Sequence, residues 1–138
     1  MRIVSLLNQT SVEIEKEWDS VIYEYFTRLN SGEFTAVSEL FSVQGQLYPP
    51  FEKAIYGREA IDRYLQTEAR EIESFPKSGT VQFDKDGYAF YQIIGTVKTN
   101  FFTVNVGWSI ELNADKEIVV VEVKLLAELQ DLLMLKRA

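Results

Sequence analysis

Within the strand expected over Phe101 to Leu112, the chain alternates without a break from Phe102 on. Phe102, Val104, Val106, Trp108, Ile110 and Leu112 are apolar, and Thr103, Asn105, Gly107, Ser109 and Glu111 stand between them. A period of two places the first set on one face of a strand and the second set on the other. A helix, at 3.6 residues per turn, would scatter the same apolar side chains around its circumference. A strand this long, with one face apolar throughout, needs pairing strands beside it and an apolar cover on that face. The remainder of the chain has to supply both.

The pairing strands follow from the same half of the sequence. Tyr88 to Lys98 alternates as a second long strand, and Ile118 to Leu126 is a third, rich in β-branched residues. Val81 to Phe83 is a short strand that precedes the Asp86-Gly87 hairpin signal. Asn113 to Glu117 reads as a turn, and Phe75-Pro76-Lys77-Ser78-Gly79 reads as a breaker.

The cover comes from the first half, where the period is helical. Thr10-Ser11-Val12-Glu13 fits a capping box, in which a Thr hydroxyl and a Glu carboxylate satisfy each other's backbone donors. A long helix is expected to follow, with Ile14, Trp18, Val21, Ile22, Tyr25, Phe26 and Leu29 on one face and Asn30-Ser31-Gly32 at its end. A second helix is expected over Phe34 to Phe41. A third is expected over Arg58 to Ser74, burying Ile61, Leu65, Ala69 and Ile72. Between them lies a rigid corner, Tyr48-Pro49-Pro50-Phe51. Two prolines with fixed φ and no donor cannot lie inside a helix or a sheet, and the large neighbours Tyr48 and Phe51 suit a kink set against a core. Residues 1–9 read as an N-terminal arm. Residues 126–137, with Leu129, Leu132, Leu133 and Met134, read as a helical tail.

Helices followed by long antiparallel strands make an α+β plan, with the helices on one face of the sheet. Long strands twist and curl, and Gly95 and Gly107 suit such bends. The expected architecture is a single domain over residues 1–138: a curved antiparallel sheet with helices over its concave face, a cone with one apolar pocket.

Composition narrows the chemistry. The chain has neither cysteine nor histidine, which removes thiolate nucleophiles, zinc-thiolate sites and the commonest general base. The net charge of −7 argues against a nucleic-acid partner. It also argues against permanent attachment to an anionic membrane, while leaving transient membrane contact open. No apolar run approaches the roughly 20 residues that span a bilayer, and no signal peptide is legible at the start, so a cytoplasmic location is expected.

Three stretches carry a resemblance. Leu47 to Ile61, with its Tyr-Pro-Pro-Phe corner, resembles the equivalent segment in the C-terminal domain of the orange carotenoid proteins. Thr99 to Trp108, with Asn105-Val106-Gly107-Trp108, is similar to that domain's central strand, and Val123 to Ala127 to its last strand. The match runs from about Val21 to the C-terminus. It identifies the chain with the free-standing homologues of that domain, within the nuclear transport factor 2-like (SnoaL-like) superfamily.

The resemblance implies a cyanobacterial, photoprotective carrier of a ketocarotenoid of the canthaxanthin or echinenone type. It also implies a homodimer that passes pigment to helical carotenoid-protein acceptors. It places at Tyr25 and Trp108 the two donors that bind the ring keto oxygen in that family. Leu29, Phe101, Phe102, Val104, Val106 and Ile110 are the expected apolar contacts. The family's usual Thr-Pro-Trp-Phe is replaced here by Thr99-Asn100-Phe101-Phe102, which loses an indole N–H.

Two other readings stand beside this one. The superfamily includes ketosteroid isomerase and polyketide cyclases, whose pockets pair an acid with a donor such as Tyr25 could be. The inward strand faces offer no such acid: Glu111 and Glu122 alternate away, and Asp84, Asp86 and Asp115 fall at turns. The third reading is a pigment-free oligomerisation module. Apart from these, Tyr25 and Trp108, each bonded to a nearby carbonyl, also fit plain core, as do Phe41, Tyr48 and Phe51.

Overall fold

The structure, a computed structural model, describes residues 9–13 and 18–126. The expected C-terminal helical tail lies outside them except for Leu126, which ends a strand instead, and the first eight residues of the arm lie outside them too. The described elements run β1 (Gln9–Glu13), α1 (Ser20–Asn30), α2 (Phe34–Glu39), β2 (Phe41–Tyr48), β3 (Ile55–Tyr56), α3 (Arg58–Glu68), β4 (Glu73–Phe83), β5 (Ala89–Lys98), β6 (Thr103–Leu112) and β7 (Ile118–Leu126). The strands form one curved, unclosed α+β sheet in the order β1-β4-β5-β6-β7-β2-β3. Every neighbouring pair is antiparallel except β2 and β7, which run parallel.

The register explains where the core sits. In β6, Trp108 is opposite Ile93 of β5 and Val123 of β7, and Ile110 is opposite Tyr91 and Val121. These side chains share the helix-facing surface and most are fully buried. From α1, Ile22, Tyr25, Phe26 and Leu29 pack onto them, and from α3, Ile61 and Leu65. Phe26 meets Trp108 edge-on at 4.9 Å between ring centroids and Tyr25 at 5.1 Å.

Several expected boundaries are corrected. Thr10 to Glu13 does not cap a helix. It lies in β1, an edge strand paired with Ser78 to Gln82 of β4. The competing influence is tertiary: the exposed rim of β4 offers ladder partners to a stretch whose β-branched Thr10 and Val12 suit a strand. Helix α1 instead starts at Ser20, where the Asp19 carboxylate accepts from Val21 N at 3.2 Å. Its expected first turn, which includes Ile14, lies outside the described residues. Helix α2 ends at Glu39, and Phe41 opens β2, fully buried. Helix α3 ends at Glu68.

The expected breaker Phe75–Gly79 is interior to β4. Pro76 is accommodated because the β4–β5 register shifts between Pro76 and Ser78, and the described pairing with β1 reaches no further than Ser78. At the proline corner, Pro49 is buried but Phe51 is not. Phe51 has φ 63° and is 92% exposed, so the chain turns outward immediately after the two prolines.

One side chain stitches helix to sheet beyond the reach of β1. Asn30, the last residue of α1, donates from Nδ2 to the Ser74 carbonyl and accepts from Ser74 N at Oδ1, both at 2.8 Å. Ser74 is buried, so its backbone groups depend on this amide. Asn30→Ala is expected to lower stability by about 1–2 kcal/mol, with amide-exchange protection lost first at Ser74. Unchanged exchange at Ser74 would contradict it.

Candidate functional site

Between α1, α3 and the concave face of the sheet lies an apolar cavity of about 260 Å³. Its floor is built from Tyr25 on α1 and from Val106 and Trp108 on β6. Leu65 and Ala69 close one side, and Val97 and Val123 the other. Ile72, Thr99, Phe102, Leu125, Pro49 and Pro50 also line it. Phe102 and Leu125 are among the exposed large hydrophobic residues, so they mark the mouth, whereas Trp108 and Tyr25 are buried.

The structure brings six of the eight sequence-predicted site residues to this one cavity: Tyr25, Leu29, Phe102, Val104, Val106 and Trp108. Ile110 and Phe101 are not part of the lining. Ile110 lies two residues past Trp108 on the same face, in the closed core. Phe101 is 89% exposed. The turn that carries it is organised by Thr99, whose Oγ1 accepts from the N–H groups of Phe101 and Phe102 and whose own N–H donates to the Phe102 carbonyl at 2.8 Å. That arrangement sends Phe102 to the mouth and Phe101 to solvent.

The polar atoms of the floor bond to no described residue. Among the described residues, neither the Tyr25 hydroxyl nor Trp108 Nε1 has a hydrogen-bond partner, and both side chains line the cavity. Burial, with a smaller contribution from nearby Tyr64, holds the Tyr25 phenol protonated far above the ordinary tyrosine range. Tyr25 is therefore a neutral donor at any physiological pH. An apolar space with two unpaired neutral donors in its floor suits an apolar molecule that carries an acceptor oxygen at one end.

Several lining residues were not singled out from the sequence. Tyr64 and Leu65 follow the helical period of α3, so their inward direction was legible even though their role was not. Tyr64 donates its hydroxyl to Glu52 Oε2 at 3.1 Å and so ties the proline corner to α3. Ser74 had no signal at all, because it falls where a helix was expected. The carboxylate in the lining is Glu68, an exposed residue on α3.

No protein-family model matches the chain. It is 34% identical over 129 residues to the orange carotenoid-binding protein of Limnospira maxima, covering 91% of this chain and 41% of that one. It is 32% identical over 130 residues to the orange carotenoid-binding protein of Synechocystis sp., with the same two coverages. The chain thus spans about two fifths of the length of these curated relatives, and the part matched is their C-terminal domain. The solved orange carotenoid protein of Anabaena (Nostoc), binding canthaxanthin, superimposes with a TM-score of 0.81 at 32% identity, over 91% of this chain and 42% of that chain. A nuclear transport factor 2-like protein of Novosphingobium aromaticivorans shares the fold alone, with a TM-score of 0.62 at 20% identity and 78% of each chain covered.

Proposed function

We propose that this chain, a homologue of the C-terminal domain of the orange carotenoid-binding proteins with a nuclear transport factor 2-like fold, is a carrier that holds one ring of a ketocarotenoid. The keto ring enters past Phe102 and stops at the cavity floor, where the Tyr25 hydroxyl and Trp108 Nε1 both donate to its oxygen. The observation that carries this reading is the pair of neutral donors in one apolar cavity that make no hydrogen bond to any described residue. Each bond contributes roughly 1 kcal/mol net. Burial of ring and polyene, at about 25 cal/mol per Å², supplies the larger share. Leu29, Val104 and Val106 form the wall against which the polyene lies. The carboxylate at this site, Glu68, is exposed and on a helix, which suits a binding pocket better than an isomerase or cyclase centre, where a desolvated base would face Tyr25.

The cavity also bears on assembly. A domain of this length has a radius of gyration of roughly 14 Å, so a pigment seated by one ring leaves much of its polyene outside. A second copy, mouth to mouth about a two-fold axis, covers that half and offers the other ring the same donors. We place the protein in the cytoplasm, as a homodimer that shares one pigment, contacts membranes briefly and hands its pigment to a helical carotenoid protein.

The test is expression in cells that make canthaxanthin or echinenone. The expected product is coloured, red-shifted from free pigment, with one pigment per two chains and a dimer mass in solution. A colourless folded protein in excess pigment would sink the carrier reading. A pigmented monomer as the main species would sink the shared-pigment dimer alone.

A further inference from the structure

The keto-ring reading leaves one buried polar group of the cavity unused. Ser74, on β4, is 3% exposed and lines the same space. Its backbone N–H and carbonyl are both taken by Asn30, but its hydroxyl has no hydrogen-bond partner among the described residues. The other neutral hydroxyls of the lining differ. Tyr25 belongs to the floor, Tyr64 donates to Glu52, and Thr99 is spent on its own turn. Ser74 is therefore a second, separate polar point in an otherwise apolar cavity.

Its position follows from the sheet register. Ser74 is opposite Val97, and Val97 is opposite Val104. Trp108 stands four residues further along β6 from Val104. At the usual strand rise and spacing, two strands across and four residues along put the Ser74 and Trp108 backbones on the order of 15 Å apart. One polar point thus lies at the floor and the other in the outer half of the cavity.

A full-length ketocarotenoid bound at the floor presents only hydrocarbon to Ser74, and a buried hydroxyl facing hydrocarbon is left unsatisfied. A shorter molecule, with a ring ketone at one end and an oxygen at the other end of a retinoid-length polyene, satisfies both points. We propose that Ser74 is a specificity-determining residue of this cavity, and that it lets the cavity take a ring-oxidised, oxygen-terminated carotenoid fragment in addition to the full-length pigment. The inference rests on the keto-ring reading above.

The test compares Ser74→Thr with Ser74→Val, which add the same bulk and differ only in the hydroxyl. Each is titrated with 4-oxoretinol, with retinol, which lacks the ring ketone, and with canthaxanthin, followed by tryptophan quenching and pigment absorption. Ser74→Val is expected to bind 4-oxoretinol about tenfold more weakly than Ser74→Thr and to bind canthaxanthin more tightly, because a methyl replaces a hydroxyl against the polyene. Wild type is expected to prefer 4-oxoretinol to retinol. If Ser74→Val and Ser74→Thr bind 4-oxoretinol alike, or if both ligands shift in the same direction, the inference is overturned while the keto-ring reading stands. If wild type binds canthaxanthin without dependence on Tyr25, and does not distinguish 4-oxoretinol from retinol, the keto-ring reading itself fails, and this inference with it.

Discussion

Replacing Tyr25 and Trp108 together by Phe is expected to weaken ketocarotenoid binding by about 30- to 100-fold and to return the bound pigment's absorption towards that of free pigment. The magnitude follows from two hydrogen bonds to one oxygen, each a factor of about 5 to 10. Both changes keep an aromatic ring in place, and neither strands a described protein group, because neither donor has a partner within the described residues. The two single variants are not equivalent in stability. Tyr25→Phe removes only an oxygen that faces the cavity. Trp108→Phe also shortens a fully buried side chain whose edge contact with Phe26 is 4.9 Å, and is expected to cost about 1–2 kcal/mol. Spectral titration alongside thermal melts separates the two effects. Unchanged affinity and colour in the double variant would show that the oxygen is held elsewhere.

The largest expected effect on stability lies away from the donors, at Gly95. A Cβ on Gly95 would collide with the Phe75 carbonyl oxygen and stand 2.8 Å from Pro76 Cα. Both obstacles are backbone atoms of β4, so no side-chain rotation relieves them. Gly95 is opposite Pro76 on one side and Val106 on the other, at the register shift in the β4–β5 ladder. Gly95→Val therefore has to part the two strands there, at an expected cost of about 3–4 kcal/mol. For a chain of this size that lowers the melting temperature by roughly 10 °C. A loss below 1 kcal/mol would mean that the bulge slides freely. Because β4 carries Ser74 and β5 carries Val97, the same change should also loosen the outer half of the cavity.

Elements with a clean period were legible from the residues alone. The strand through Trp108 alternates over its whole length, and in the structure its Val106, Trp108, Ile110 and Leu112 are buried as a set. The inward face of α1 was legible for the same reason, from Ile22 to Leu29. Boundaries were legible only where a local signal was unopposed. Asp19 caps α1, yet Thr10-Ser11-Val12-Glu13 matches a capping pattern equally well and becomes an edge strand, because β4 offers it backbone partners. Pro76 looked like a terminator because a proline is normally excluded from a strand interior; a register shift opposite a glycine admits it.

By itself, then, the sequence determined the class of the fold, the helix and strand whose inward faces carry Tyr25 and Trp108, and, through the proline corner and the Asn-Val-Gly-Trp strand, the likeness to the C-terminal domain of the orange carotenoid-binding proteins. These are properties of local period and short motifs, and each is complete within a dozen or so residues. Only the tertiary structure decided which inward residues face a cavity and which are closed off. Trp108 and Ile110 share one face of one strand, yet the first lines the cavity and the second is sealed under it. Phe101 and Phe102 are neighbours of one type, and the Thr99 turn turns one out and one in. Ser74 entered the cavity because β4 begins where α3 was expected to continue. Whether a buried polar atom finds a partner depends on residues far apart in the chain, and the sequence holds no local record of that distance.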